Sequence, residues 1–496
     1  YDLTIHLYNY YAEAEYCNGN FSEVGKVTKL VLEKAKAFYD QVRAYFVLVK
    51  TLSAEEKFHD AIQIGIEALT LLGNYLPFQL SDKPAIKEEF YRIKGIFESM
   101  TDDELLSSKT MEDSDALIAM SFMGELLLIA QNINQDVGVC LITHMLQLSL
   151  NYGFCKESIF ALAGCSAVLH SLSDLKASKR CSHIALSLLD RPDFKAILPR
   201  VYIPIYTCVL ATSEHPKKVC EKFLYAYKVG MQNGDIIFAM YNARVYCVGR
   251  FFHGARLDEV VRDTQVFEKQ MIEYKHTWAR NVINVLRIAA LTLINFSDDP
   301  LQHSNDFLAD GKKLLKKDIE ESGRFKASVY CFFFSFVAYI FCNYDYARDL
   351  TKTRWKIEKG LHLRYMVNEA SYFDALLSIA LAQRTKEDEW QKHALECYEK
   401  VRRNIDVMPH RILIMETEMD VMMGQTKDAI GNYDKAINAA KESELIHEEA
   451  IANERAGDFC LSQGDVRASN YYGKAYNLYL QWGAEGKADN LKKKSL

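Results

Sequence analysis

Proline and glycine are scarce in this chain, 8 and 23 among 496 residues, which argues against long loop-rich or disordered stretches. There is no basic block either. The net charge of -6 comes from interspersed acids and bases, so a nucleic-acid partner recognised through a broad positive face is not expected. The twelve cysteines include no CxxC, and no cysteine pair is matched by a nearby histidine pair at zinc-finger spacing. Scattered thiols of this kind read as small core residues in a reducing compartment. No signal peptide is evident, and no apolar run reaches the roughly 20 residues a membrane span needs. The longest such run, Tyr330 to Tyr344 (YCFFFSFVAYIFCNY), has polar and charged flanks and sits where a buried repeat helix belongs. The chain therefore reads as soluble and cytoplasmic, without membrane insertion. Because it begins at Tyr1 rather than methionine, it reads as a segment of something longer.

What the sequence does contain is a folded-protein balance, 49% hydrophobic and 25% charged, arranged with a long period. In the second helix of a tetratricopeptide repeat, a small residue and the positions four and seven further on share one face and pack on neighbouring helices. Ala394/Tyr398/Val401, Ala429/Tyr433/Ala436 and Ala468/Tyr472/Ala475 follow this rule, with starts 35 and 39 residues apart. The motif's usual period is about 34. Near the other end, Val24/Thr28/Val31 precedes Ala61/Gly65/Ala68 by 37. Between them lie Ala177/Cys181/Ile184, Val219/Phe223/Ala226, Val260/Thr264/Phe267 and, less regular because it ends in arginine, Ala347/Thr351/Arg354. Gly19 and Gly424 each precede a stripe by five residues, where a tight turn calls for a positive φ. Glu56 stands in the equivalent place before Ala61. The fold expected is an all-α, right-handed superhelical solenoid of antiparallel helix pairs, tetratricopeptide-like. An irregular α-helical domain is the alternative.

One segment does not fit the succession. Gly73 can end a helix, Asp82 can cap the next with Pro84 in its first turn, and that helix runs on from Ala85 to Met100. Thr101 and Glu104 have capping-box spacing. The expected organisation is thus N-terminal repeats over 1–73, a helical insertion over 74–116, divergent central repeats over 117–380 and C-terminal repeats over 381–496. Pro192, Pro216, Pro300 and Pro409 mark further breaks between helices.

The order of segments resembles the large helical-repeat region of multidomain signalling ATPases that are coupled to histidine-kinase, protein-kinase or cyclase modules. The resemblance lies in Ala68-Leu69-Thr70-Leu71-Leu72-Gly73 followed by Leu76-Pro77, in Met145 to Gly153 (MLQLSLNYG), and in Gly234-Asp235 with Phe238-Ala239. It continues in Tyr476-x2-Tyr479-x2-Trp482-Gly483-Ala484 with Lys487 and Leu491, and so spans nearly the whole chain. It implies a connector that follows a P-loop module, precedes sensor or output domains, senses a ligand or partner, and restrains the ATPase.

The chain itself contains no GxxxxGK[ST], since Asp310-Gly311-Lys312-Lys313 lacks the first glycine and the hydroxyl residue. Nor does it contain HExxH, because Ile451 follows His447-Glu448 where histidine would be needed. There is no GxSxG elbow. Glu55-Glu56 and Glu387-Asp388-Glu389 belong to turns or solvated faces, and Cys181 and His183 do not share a helix face. No catalytic residue, cofactor or metal ligand is expected. Polar groups on otherwise apolar helices are a better lead. Arg280, Asn284 and Arg287 lie on one face beside Trp278, with Tyr241, Asn242 and Arg244 one repeat earlier. Inner surfaces of solenoids bind peptides or helices, and arginine and aromatic residues are enriched at binding hot spots. These seven are candidate contacts for a protein or peptide partner, set against a purely structural role bridging repeats. A non-enzymatic interaction or sensory module is the leading reading. A free-standing scaffold that forms homo-oligomers is the second, and an enzyme with an unfamiliar site in the groove is the third.

Overall fold

The computed structural model describes residues 1–74, 82–133, 135–211, 213–295, 321–358, 367–404 and 408–495. Leu76-Pro77, Pro300 and the Asp310-Gly311-Lys312-Lys313 segment lie outside the described residues. Among those described, every named element is helical, and the helices pack chiefly against their neighbours in sequence. They form two compact units, one of residues 1–209 with 232–235, the other of 210–231 with 236–496. No helix among the described residues is long and apolar enough to cross a membrane.

The first unit opens with two helix pairs, α1 (Asp2–Asn18) with α2 (Phe21–Lys34) and α3 (Phe38–Ala54) with α4 (Phe58–Leu71). Both second helices bury their stripes, Val24/Thr28/Val31 and Ala61/Gly65/Ala68. The turns inside the pairs need a left-handed residue, supplied by Gly19 at φ 70° and by Glu56 at φ 61°. Glu56 thus adopts the conformation for which glycine is the favoured residue. The pattern recurs: Ser173, Cys342 and Lys386 also take positive φ inside helix pairs, while Gly424 and Gly464 use glycine.

After α4 comes α5 (Lys83–Ser99), capped by the Asp82 carboxylate, which accepts from Ala85 N at 3.1 Å. Then comes the short α6 (Asp102–Leu106), which has the full Thr101/Glu104 capping box. These two helices interrupt the stack. The chain resumes it with α7 (Ser114–Ile133), which packs directly on α4. Gly65 permits that contact, since a Cβ there would lie 2.5 Å from Leu126 Cδ2. The helices α8 (Gln135–Tyr152), α9 (Lys156–Ser171) and α10 (Leu175–Leu188) follow, with α5 lying against α8. Inside this unit Arg200 bridges Glu125 and Asp235, each at 2.8 Å.

The second unit contains α12 (Pro216–Asn233) up to Met231, preceded in the chain by α11 (Leu198–Pro204) of the first unit. It continues with α13 (Ile236–Phe252), α14 (Leu257–Glu273), α15 (Thr277–Ile294), α16 (Glu321–Ile340) and α17 (Tyr344–Glu358). The remaining helices are α18 (Val367–Thr385), α19 (Asp388–Asn404), α20 (Pro409–Met422), α21 (Ala429–Glu442), α22 (Ile446–Ser462), α23 (Ala468–Trp482) and α24 (Glu485–Ser495). The last helix packs on α15. Phe251 touches Trp482 with ring centroids 6.0 Å apart, so the row of helices returns upon its own beginning. The apolar run of α16 explains why. Phe332, Phe333 and Phe336 meet Phe252 from α13 and Phe373 from α18 at centroid distances of 4.6 to 5.7 Å. The interior of this unit is therefore filled with packed aromatic rings.

Candidate functional site

Six of the seven candidate contacts, on α13 and α15, fall into two adjoining clusters. Tyr241 and Arg244 stand one turn apart on α13. The Arg244 guanidinium lies 4.2 Å from the Trp278 ring centroid and 5.5 Å from that of Tyr241. Tyr241 in turn meets Trp278 edge-to-face at 4.9 Å. His276 completes the group, its ring 4.9 Å from Tyr241 and its Nδ1 accepting from Ala279 N at the start of α15. Burial pushes this imidazole down to about 4, so at neutral pH it is uncharged and Nδ1 is free to accept the capping bond. Arg244 is buried, whereas Tyr241 and Trp278 are half-exposed. A cation sandwiched beneath aromatic faces is stabilised by the ring quadrupoles, and it fixes those rings for contact on their outer side. Asn242 points elsewhere: it is fully buried and donates from Nδ2 to Phe238 O at 2.7 Å.

The second cluster gathers around Glu268 of α14. Arg287 pairs with this carboxylate and also donates to Asn284 Oδ1 at 2.7 Å, while Arg280 approaches Glu268 at 3.5 Å. Arg280 is 46% exposed in its side chain and is the charged group here most open to solvent. Together the clusters offer two aromatic faces and one accessible guanidinium, an arrangement suited to recognition.

Sequence reasoning missed a larger polar network in the same unit. Arg411 of α20 is fully buried and donates to Glu448 of α22 at 2.5 to 3.1 Å, and to Glu369 of α18 at 2.9 and 3.2 Å. His410 Nε2 bonds Glu448 Oε2 at 2.8 Å, and Arg411 covers the Tyr372 ring. Burial alone would raise the Glu448 carboxyl, but Arg411 and His410 outweigh it and hold the group well below the usual carboxylate range. For Glu369 the balance falls the other way, and burial raises it despite Arg411. His447, beside the pair, is pushed down to about 4 by burial. At the far end of the same helices Arg455 takes Glu418 in a two-pronged pair at 2.9 and 3.0 Å. Beyond it, Glu454 holds Lys487 at 2.8 Å and Tyr479 Oη at 2.7 Å. The signal was present in the spacing. Arg411 and Glu448 are 37 residues apart, and so are Glu418 and Arg455, one repeat in each case. Arg354, which made its stripe irregular, is likewise buried against Asp374 and Glu358.

Two further groupings bear on chemistry. Cys220 lies 3.1 Å from His253 Nδ1. Burial pushes the thiol up to about 12 and the imidazole down to about 3, so the thiol donates to a neutral ring and no thiolate forms. Among the described residues no three histidine, cysteine or acidic side chains converge as a metal site would require. Compared with protein-family models and with curated proteins, the chain matches none.

Proposed function

We propose that this chain is a non-catalytic protein-interaction or sensory solenoid, with its helix pairs wound in a right-handed, tetratricopeptide-like superhelix. In this reading it serves as the regulatory connector of a larger signalling ATPase. The observation that supports it best is the outer face of α1. Leu3, Leu7 and Tyr10, spaced by four and three residues, are 73%, 59% and 57% exposed, and the exposed Tyr11 widens the stripe. The opposite face, Ile5, Asn9 and Ala12, is buried within the unit. Helical repeats bury such faces by stacking on a neighbour, and an exposed apolar patch marks an interaction surface. The occupant that fits is another helical segment, laid along α1 as α3 is on its inner side. The Tyr241–Trp278 face with Arg280 is the second surface, suited to a peptide carrying an acidic group.

The test is photo-crosslinking from Leu7 replaced by benzoylphenylalanine, with the same group at the exposed Lys29 as reference. The connector reading expects adducts to a helical segment of the polypeptide that contains this chain, or to a partner bearing a P-loop. Adducts between two copies of this chain would favour the scaffold that self-associates. A yield at Leu7 no higher than at Lys29 would overturn the interaction reading.

A further inference from the structure

The insertion that interrupts the repeat stack builds a cavity. Helix α5 lies against α8, and α6 lies against α10. Between α5 and the α9–α10 hairpin a space of about 390 Å³ stays open, within the size range of small-molecule sites. Phe90, Ile93 and Phe97 of α5 are three and four residues apart, so they share one helix face. That face lines the cavity, and Leu146 of α8 with Leu162 and Leu169 of α9 line it from the repeats. The walls are thus aromatic and aliphatic.

The pairing of charges in the lining decides what the cavity can take. Five charged residues belong to it, the cations Lys94, Lys176 and Arg180 and the carboxylates Glu98 and Asp174. Both carboxylates are engaged by one ammonium, since Lys94 meets Asp174 at 2.8 Å and Glu98 at 3.1 Å. Asp174 also caps α10, accepting from Ala177 N at 3.2 Å. Arg180 is committed as well: it pairs with Asp102 at 2.7 Å and donates to Phe97 O and Met100 O at the end of α5. Lys176 is left. It is exposed at the edge of the cavity, and among the described residues no carboxylate pairs with it.

We infer that the α5–α9–α10 cavity is a binding site for a medium-chain carboxylic acid, whose alkyl chain lies among Phe90, Phe97 and Leu162 and whose carboxylate pairs with Lys176. The two halves of such a ligand match the two halves of the site. Hydrocarbon entering the cavity leaves water for apolar walls, which is favourable in proportion to the area buried. The carboxylate stays at the solvent edge, where it needs no costly desolvation and finds the one cation of the lining that has no acidic partner. The site lies wholly in the first unit and goes beyond the interaction reading, since it uses neither the α1 stripe nor the Tyr241–Trp278 face.

The test titrates the whole chain with decanoate by isothermal calorimetry, alongside octanoate, decanol and decyltrimethylammonium. Decanoate should saturate a single site. Octanoate should bind about tenfold more weakly, because each buried methylene is worth up to about fourfold. Decanol should bind about two- to fivefold more weakly than decanoate, the worth of an exposed ion pair, and the cationic amphiphile more weakly still. In Lys176→Gln decanoate should fall to the level of decanol, whose own affinity is unchanged. Ala177→Phe places a ring on the cavity wall and should abolish binding; because Lys176 is exposed, the Lys176→Gln result stands even if the bulkier variant does not fold. Location is read from alkylation by N-ethylmaleimide, mapped by mass spectrometry. Decanoate should slow the reaction of Cys181, half-exposed in the lining, and leave that of the exposed Cys17 unchanged. No saturable binding, equal affinities for decanoate and decanol, or a Lys176→Gln chain that binds decanoate like the parent would each overturn the proposal. So would binding that leaves Cys181 as reactive as before, since the acid would then lie elsewhere.

Discussion

Replacing Arg411 by methionine removes the guanidinium lying between Glu448 and Glu369 and leaves Glu448 buried and Glu369 half-buried without it. Breaking a buried pair by deleting one partner costs about 3–5 kcal/mol, because the remaining charge can no longer be solvated. The pH dependence makes the reasoning specific. In the parent chain Glu448 is held below its ordinary value of 4.5. Its contribution is therefore complete above that value and is lost as pH falls through the lower, folded one. In R411M the sign reverses. Burial, no longer outweighed by the guanidinium, raises Glu448 and raises further the already elevated Glu369, so the penalty is full near neutral pH and is relieved by protonation as pH falls. All four tryptophans, Trp278, Trp355, Trp390 and Trp482, lie in the second unit, so tryptophan fluorescence during urea unfolding reports on that unit alone. The stability gap between parent and R411M should be about 3–5 kcal/mol near pH 7.5 and should narrow as the pH falls below about 5. The triple variant R411M/E369Q/E448Q, with no charge left to bury, should recover most of it. A gap that stays constant with pH, or a triple variant no better than R411M, would refute the account.

Glu56 occupies left-handed space at φ 61°, so E56G should raise stability by about 0.5–1 kcal/mol, the strain relieved less the added freedom of the unfolded chain; urea midpoints measured by circular dichroism check this. Valine at Gly65 would drive its Cβ into Leu126, which is fully buried, and G65V should cost about 1–3 kcal/mol, seen in the same measurement.

Much of this fold is legible in the sequence because it is local. The Asp82 cap, the Thr101/Glu104 box and the small-x3-aromatic stripes act within a single helix or turn, and each appears in the structure at the residues the spacing indicates. Apolar burial at Ala429, Tyr433 and Ala436 follows from helical period alone. What escaped notice depends on partners far away in sequence. The polar character of Arg411 suggests a surface until Glu369 and Glu448 are placed around it. The same holds for Arg244. It was singled out for a partner's benefit, and the structure buries it beneath Trp278 and Tyr241, leaving those rings as the accessible part of the group. Lys487 shows how far the rule of exposed charge can fail: it is wholly buried on Glu454 within the very motif that suggested the resemblance.

The buried charges also answer a difficulty that the repeat itself creates. Stripes as alike as Ala429/Tyr433/Ala436 and Ala468/Tyr472/Ala475 present similar apolar surfaces, so hydrophobic burial alone discriminates poorly between one neighbour and the next. The charges do discriminate. With α20 seated between α18 and α22, Arg411 neutralises Glu369 on one side and Glu448 on the other. A slip that brought α22 against α18 would set Glu448 beside Glu369 with no cation between them. At the other end of the helices it would separate Glu418 from Arg455. Such misplaced charges cost several kcal/mol in a dry interior, enough to select one order of stacking. The triple variant then carries a second expectation: while regaining stability, it should unfold over a broader range of urea than the parent, because the stacking order has lost the interaction that made alternatives costly.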